Sequence, residues 1–285
     1  MKKALFLYSD HTGLSRKQKR IQKAIVRLSK VFELTPCKTS TLDEMKEKVA
    51  LACASFDVLI VVGGDGSFHQ AINVVAKAER QPILGFINAG TMGDVASNFG
   101  TSHSFWKGVK TIENGYTSQM DLCSANDIYF AYMAAVGAYS DISYRASRSS
   151  KRVIGKLSYY ALAIKEAFRR QNVKLNLVLN EGHIQYDGPF LLLLNGGRVG
   201  GFYVNRKGRM NDGKLEAFLT PKGLFNGLLR YLTPKKRWKQ SLPSLRIESE
   251  NELPWCLDGE KYVFTTLNIN CCQSKIRVFC RKGSK

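Results

Sequence analysis

Two glycine-rich segments contain residues whose types and spacing suit the binding of phosphate. Gly63-Gly64-Asp65-Gly66-Ser67 follows an apolar run at residues 58–62, and Asn88-Ala89-Gly90-Thr91-Met92-Gly93-Asp94 follows another at residues 83–87. Glycine lets backbone N–H groups approach phosphate closely, and the N-terminus of a following helix favours negative charge. A carboxylate at Asp65 would repel phosphate unless Mg²⁺ lay between them. Together the segments predict a phosphate cradle with Mg²⁺, although either one alone is also compatible with a tight turn.

The elements that position these segments are predicted by alternating patterns in the first 120 residues. Apolar runs predict strands at residues 4–8, 31–34, 58–62 and 83–87, and helical spacing is found at residues 17–28, 43–54 and 68–78. Such alternation indicates a parallel sheet covered on both faces. Ligands bind at the carboxyl edge of such sheets, which is where both glycine-rich segments begin. Neither segment matches a P-loop or a Rossmann fingerprint.

Strands dominate the chain after residue 121. Strands are predicted at residues 128–136, 175–179, 190–194, 215–219, 245–248, 262–267 and 276–280, with a helix at residues 155–170. The change of pattern predicts two domains, an α/β domain over residues 1–120 and a strand-rich domain over residues 121–267.

Composition narrows the range of partners and compartments. Lys and Arg number 43 against 23 for Asp and Glu, and a net charge of +20 favours polyanions such as nucleotides, anionic lipids or nucleic acid. The 7 cysteines form no CxxC pair and only 4 histidines are present, so no zinc-ligand pattern exists and reduced thiols in the cytoplasm are expected. No apolar run approaches the roughly 18–20 residues of a membrane-spanning helix, so any membrane contact is predicted to be peripheral.

Two basic segments are candidates for that contact. The first contains Arg145, Arg148, Lys151, Arg152 and Lys156, and the second contains Arg230, Lys235, Lys236, Arg237 and Lys239 around Trp238. Basic residues and tryptophan favour the surface of an anionic membrane, although a solvated basic face is the plainer alternative. Nucleic acid is not expected, because the chain has no zinc finger and no RNP-like aromatic motif. A homodimer is left open.

The ordered motifs resemble the diacylglycerol kinase-like lipid kinases of bacteria. Gly63-Gly64-Asp65-Gly66-Ser67 is similar to the GGDGT signature that this group shares with sphingosine kinases and NAD kinases, and Gly90-Thr91-Met92-Gly93-Asp94 is similar to the lipid-kinase GTxND element. Asn195-Gly196-Gly197, Asn211-Asp212-Gly213 and Leu257-Asp258-Gly259-Glu260 resemble the NG, NDG and DGE elements of the same group. The resemblance runs in order from residue 4 to about residue 280.

The resemblance implies a fold and an activity. The fold would be an N-terminal three-layer α/β domain with a mainly parallel sheet and a C-terminal β-sandwich, with the active site in the cleft between them. Residues 268–285 would return to complete the first domain. The activity would be transfer of the γ-phosphate of ATP to a lipid hydroxyl with Mg²⁺ as cofactor. Diacylglycerol would be the default acceptor, with phosphatidylglycerol, undecaprenol or a sphingoid base as alternatives.

The resemblance also assigns roles to single residues. The ATP phosphates would be bound by Gly63, Gly64, Asp65, Gly66, Ser67, Thr91 and, if the alignment extends that far, Thr39. Three acidic residues would lie near Mg²⁺ in the cleft, namely Asp65, which is also assigned to catalysis, Asp94 and Asp121. Glu260 would be the general base. Asp212, with the backbone carbonyls of Arg209 and Lys214, would form a structural Mg²⁺ site.

The sequence departs from the group around the nucleotide. Ser67 replaces the signature threonine, His69 and Gln70 replace asparagine and glutamate, and Gly93 replaces the asparagine of GTxND. Two alternatives are open, and the second of them rests on these substitutions. One is an NAD kinase, which shares the first signature and to which Gly85-Phe86-Ile87-Asn88 is faintly similar. The other is a nucleotide- or lipid-binding regulator that has lost turnover.

Overall fold

The computed structural model describes residues 1–9, 15–101, 104–137, 172–179, 182–220 and 238–283. The chain divides into two compact units, unit 1 with Met1–Met120 and Ser274–Lys285, and unit 2 with Asp121–Gln273. The predicted helix at residues 155–170 and the basic residues at 145–156 and 230–237 lie outside the described residues. Among the helices that are described, none is long and apolar enough to cross a membrane.

The sheet of unit 1 is parallel. Its strands β1 to β4 lie side by side in the order β4-β3-β1-β2 and span Lys2–Ser9, Phe32–Thr39, Val58–Gly63 and Ile83–Asn88. Every residue of β3 is buried, as expected for a β-branched run covered on both faces. The predicted α/β domain with a mainly parallel sheet is therefore confirmed.

Five helices cover this sheet in the described part of unit 1. Helices α1 to α5 span Ser15–Leu28, Leu42–Ser55, Asp65–Val75, Asp94–Asn98 and Phe105–Glu113. Helix α2 begins with a reciprocal cap, because the Thr41 hydroxyl accepts the N–H of Glu44 while the Glu44 carboxylate accepts the N–H of Ser40. The carboxylate of Glu113 accepts two hydrogen bonds from the guanidinium of Arg27, which ties α5 to α1.

Unit 2 is built from strands. Strands β5 to β10 span Thr117–Ala125, Ile128–Phe130, Met133–Gly137, Val173–Leu179, Gly182–Gly188 and Phe190–Leu194. Strands β11 to β16 span Arg198–Val199, Phe202–Tyr203, Leu215–Thr220, Trp238–Leu242, Ser244–Leu257 and Glu260–Phe279. The pairing is antiparallel within the order β14-β13-β10-β7-β15-β16, and β10 is buried along its whole length. The predicted strand-rich second region is confirmed.

Two strand predictions in this unit are wrong for physical reasons. The run at residues 128–136 forms two strands, because the N–H groups of Ala131 and Tyr132 donate to the carboxylate of Asp258 instead of continuing a ladder. The runs at residues 262–267 and 276–280 are parts of one strand, β16. Its end pairs in parallel with β4 through Val278 and Leu84, so β16 returns to unit 1.

A buried carboxylate in β13 should make stability depend on pH. Glu216 is buried, and burial raises the pKa of its carboxyl group above the ordinary glutamate value. The positive charge of Lys239, whose Nζ lies 3.8 Å from Oε1 of Glu216, opposes this shift without cancelling it. The folded state therefore holds this proton more tightly than the unfolded chain does. As a result, the free energy of unfolding falls as the pH rises from the ordinary pKa of glutamate through the raised pKa of Glu216. Glu216→Gln should therefore lose less stability than the wild type between about pH 5 and about pH 8.

Urea unfolding of both proteins at the two pH values measures this difference. Glu250→Gln changes an exposed carboxylate and is the control, which should behave as the wild type does. A Glu216→Gln protein with the same pH dependence as the wild type would show that Glu216 does not titrate as described.

Candidate functional site

The two glycine-rich segments lie side by side at the carboxyl edge of the unit 1 sheet. Strands β3 and β4 end in register, with Gly63 opposite Asn88. The N–H of Ala89 donates to the carbonyl of Gly63 at 2.8 Å, and the N–H of Gly90 donates to Asn88 Oδ1 at 3.0 Å. The two turns are therefore joined directly after their strands end.

Close backbone approach explains two of the glycines. A Cβ on Gly90 would lie 2.7 Å from the Cα of Gly64, and a Cβ on Gly63 would lie 2.6 Å from the Cβ of Ser67. Both distances are shorter than van der Waals contact allows. Ser67, in the first turn of α3, thus packs its side chain directly on Gly63 at the strand end.

Replacing Gly90 by alanine should separate the two turns. Because the new methyl group meets backbone, the loop itself must shift, and we expect a loss of about 1–3 kcal/mol in the free energy of unfolding together with weaker ATP binding. Gly64→Ala is the matched control for stability, since its methyl group would have 3.6 Å to the Cα of Gly90. Urea unfolding and nucleotide titration measure both effects. Equal stability of the two variants would contradict the close contact.

Asp65 joins the two segments through its carboxylate. It is the first residue of α3, and its Oδ2 and Oδ1 accept the N–H groups of Asp94 and Val95 at 3.3 and 3.2 Å. The cap position of α4 is Gly93 at φ 65, and Asp65 supplies the carboxylate acceptor from another helix. The carboxylates of Asp65 and Asp94 therefore belong to one edge of the sheet.

The other residues that the sequence places near the nucleotide lie on different elements of unit 1. Thr91 is exposed in the turn that follows β4, close in sequence to Gly90. Thr39 is buried at the end of β2, opposite Ser9 of β1, so that β1 separates it from β3. His69 is fully buried in α3, where its carbonyl accepts a hydrogen bond from the amide of Asn73 at 2.9 Å.

Asp121 organises a turn in unit 2. It is fully buried, its carboxylate accepts the N–H of Gly213 at 2.7 Å, and its own N–H donates to the carbonyl of Met210 at 2.7 Å. The turn carries Asp212, which is exposed and whose Oδ1 accepts the N–H of Lys214 at 3.2 Å. Asp121 thus fixes the backbone that presents Asp212.

The predicted metal ligands do not form one cage. Nowhere in the described parts of the chain do three Asp, Glu, His or Cys side chains gather closely enough to hold a metal ion. Mg²⁺ in nucleotide sites is usually bound by one or two carboxylates together with substrate phosphates and water. The pair of Asp65 and Asp94 fits such a nucleotide-bound ion. On the turn of unit 2, two carboxylates accept backbone N–H groups, Asp121 from Gly213 and Asp212 from Lys214.

Glu260 begins β16 directly after a two-residue turn. Asp258 and Gly259 have φ values of 51 and 95, the positive values of a type I′ hairpin, and Leu257 pairs with Glu260 across it. The buried carboxylate of Asp258 accepts three backbone N–H groups at 2.5 to 3.2 Å, from Ala131, Tyr132 and Met133. Asp258 therefore holds the turn in place, and Glu260 with it.

A second buried polar residue links this turn to Asp121. The amide of Asn195 donates from Nδ2 to the carbonyls of Asp121 and Ala131 at 3.0 and 2.8 Å. Sequence reasoning named Asn195 and Asp258 within motifs but gave neither a role. The sequence feature that could have pointed to Asn195 is its position, a single amide residue directly after the apolar run that forms β10.

The negative charge at the turn affects a neighbouring tyrosine, Tyr262. Burial raises the pKa of Tyr262, and the negative charges of Glu260 and Asp258 raise it further. The two carboxylates therefore act on the same small region at the start of β16.

The chain is similar in sequence to known diacylglycerol kinases. Residues 3–125 match the family model of the diacylglycerol kinase catalytic domain. The chain is 25% identical over 279 residues to a diacylglycerol kinase of Staphylococcus carnosus, covering 91% of this chain and 89% of the relative. It is 26% identical over 249 residues to a diacylglycerol kinase of Bacillus subtilis, covering 82% and 78%.

Solved structures share the fold. A crystal structure of a diacylglycerol kinase from Bacillus anthracis superposes with a TM-score of 0.82 at 19% identity, covering 98% of this chain and 97% of that one. Another Bacillus anthracis crystal structure gives a TM-score of 0.88 at 21% identity, covering 100% and 97%. With the catalytic-domain match in residues 3–125, the whole-length likeness in sequence and fold makes this chain similar to the diacylglycerol kinases.

Proposed function

We propose that this protein transfers the γ-phosphate of ATP to the hydroxyl of diacylglycerol and releases phosphatidic acid. The observation that carries the proposal is the edge of the unit 1 sheet, where Asp65 binds the backbone of Asp94 beside the joined turns at Gly63 and Gly90. That edge lies in the segment that matches the diacylglycerol kinase catalytic domain.

Unit 1 would bind the nucleotide. Backbone N–H groups of residues 63–67 and the hydroxyls of Ser67 and Thr91 would donate to the phosphates, and the N-terminus of α3 would favour their negative charge. Asp65 and Asp94 would hold Mg²⁺ with the phosphate oxygens. When bound, Mg²⁺ neutralises charge that develops on the phosphates. Thr39 is proposed as a further nucleotide contact on sequence resemblance alone.

Glu260 would act on the acceptor. Its carboxylate, half-buried at the start of β16, would accept the proton of the lipid hydroxyl as that oxygen attacks the γ-phosphate. Phosphoryl transfer depends mainly on positioning and charge stabilisation, so the fixed Asp258 turn would contribute by orienting Glu260. Asp121 and Asp212, with the carbonyls of Arg209 and Lys214, would serve the second, structural Mg²⁺ site.

A labelled phosphate assay tests the proposal. Purified protein is mixed with γ-labelled ATP, Mg²⁺ and mixed micelles that each contain one acceptor, with NAD⁺ in a separate reaction. Label in phosphatidic acid is the expected result. Label in phosphatidylglycerol, undecaprenol or a sphingoid base would keep the kinase and change the substrate, and label in NAD⁺ would replace the proposal. No labelled product, with ATP binding shown separately, would favour a regulator.

A further inference from the structure

A short hairpin in unit 2 exposes two aromatic side chains. Strands β11 and β12 pair with Arg198 opposite Tyr203 and Val199 opposite Phe202. Phe202 is 55% exposed and Tyr203 is 63% exposed, although neighbouring residues of a strand point to opposite faces. Both faces of the hairpin are therefore accessible at its tip.

The turn at the tip gives the hairpin a defined shape. Gly200 and Gly201 form a two-residue loop with φ values of 61 and 84, as a type I′ turn requires. The guanidinium of Arg198 donates to the carbonyl of Gly201 at 3.0 Å and lies 4.4 Å from the centre of the Tyr203 ring. These contacts present the aromatic rings on an ordered turn.

The foot of the hairpin is anchored in the unit. The carbonyl of Gly197 accepts the N–H groups of Val204 and Asn205 at 2.9 and 3.0 Å. Asn205 is buried, and its Oδ1 accepts a hydrogen bond from Nζ of Lys239 at 3.2 Å. The exposed tip of the hairpin is therefore held by hydrogen bonds at the end that joins the rest of the unit.

Basic residues follow this hairpin in the chain. Arg206, Lys207 and Arg209 follow the hairpin within seven residues of Phe202, and all three are exposed. The sequence contains no acidic residue between Asp187 and Asp212. Exposed aromatic rings bordered by basic residues are the composition that favours the interface of an anionic membrane.

We propose that residues 198–209, the hairpin with its basic border, dock the protein on an anionic lipid bilayer. Phe202 and Tyr203 insert at the level of the headgroups, while Arg206 and Lys207 contact lipid phosphates. The partly exposed Val199 beside Phe202 adds an aliphatic surface, which suits acyl chains better than nucleotide bases. The proposal deepens the proposed function, on which it rests for the need to reach a lipid substrate.

Vesicle binding without ATP tests the surface. The full chain is sedimented with vesicles of phosphatidylcholine that contain about one-third phosphatidylglycerol. We expect Phe202→Ser with Tyr203→Ser, and separately Arg206→Gln with Lys207→Gln, to weaken binding by about tenfold or more. Val26→Ser with Leu51→Ser is the matched control, because it removes exposed apolar side chains from helices of unit 1 and should bind as the wild type does.

Three results would overturn the proposal. In the first, both hairpin variants bind vesicles as tightly as the wild type does. In the second, the control variant loses as much vesicle binding as they do. In the third, the wild type binds single-stranded nucleic acid more tightly than vesicles, and the hairpin variants lose this binding. Circular dichroism of each variant checks that it is folded, and the charge variant alters only exposed side chains.

A kinase assay separates this proposal from the proposed function. With a short-chain diacylglycerol dissolved as monomers, the hairpin variants should match the wild type, whereas with diacylglycerol in vesicles they should be about tenfold slower. If no lipid is phosphorylated but vesicle binding still depends on the hairpin, the proposed function fails and the docking surface stands.

Discussion

Replacing Glu260 by glutamine should lower kcat by about 10²–10⁴-fold, the usual contribution of a general base. Glutamine keeps the size of the side chain but cannot accept the proton of the lipid hydroxyl. The affinity for ATP should stay within about twofold of the wild type, because the proposed nucleotide site lies in unit 1 and Glu260 is proposed to act on the acceptor. Steady-state kinetics with diacylglycerol and a separate nucleotide titration measure the two quantities.

The matched control is Glu252→Gln, which makes the same change at an exposed position of β15. It should keep wild-type kcat. A Glu260→Gln protein with kcat close to the wild type would remove Glu260 from the role of general base and leave it as a residue of the hairpin end.

Replacing Asp258 by alanine should cost roughly 3–5 kcal/mol in the free energy of unfolding. The change leaves the buried N–H groups of Ala131, Tyr132 and Met133 without their carboxylate acceptor. Alanine is also disfavoured at the positive φ of this turn. Since Glu260 lies two residues further on, kcat should fall as well, and urea unfolding with steady-state kinetics measures both losses.

The Asp258→Asn variant separates the loss of the carboxylate acceptor from the strain of alanine at a positive φ. Asparagine tolerates the positive φ and keeps one oxygen acceptor, so it should lose less stability than the alanine variant. Equal stability of the alanine variant and the wild type would show that the carboxylate does not hold this loop.

The parallel sheet of unit 1 could be predicted because each of its signals is local. Buried β-branched runs mark strands such as β3, and the glycine-rich turns directly follow them, so the chain order alone brings both turns to one edge. The same reasoning found β10, which is apolar along its whole length.

The polar contacts that build the site could not be predicted in this way. The carboxylate of Asp258 binds N–H groups 125 to 127 positions earlier in the chain, and Asn195 binds carbonyls 64 and 74 positions away. No local periodicity encodes such pairs. Likewise, the carboxylate of Asp65 accepts the N–H of Asp94, 29 residues further on, at the start of another helix.

The short strands β11 and β12 are not predicted from the sequence, and the long strands β15 and β16 are predicted only in part, for a related reason. The hairpin of β11 and β12 consists of two residues on each side of a glycine pair, too short for any alternation to be visible. Strand β15 is interrupted by a bulge between Glu248 and Leu253, where polar residues hide its continuity.

A mass balance between ATP and lipid is the most direct test of lipid phosphorylation by this protein. Wild-type protein and Glu260→Gln are incubated side by side with ATP, Mg²⁺ and diacylglycerol, and ADP and phosphatidic acid are quantified by mass spectrometry. We expect equal amounts of ADP and phosphatidic acid from the wild type and almost none from the variant, as the proposed function requires. ADP without phosphatidic acid, or equal product from both proteins, would contradict it.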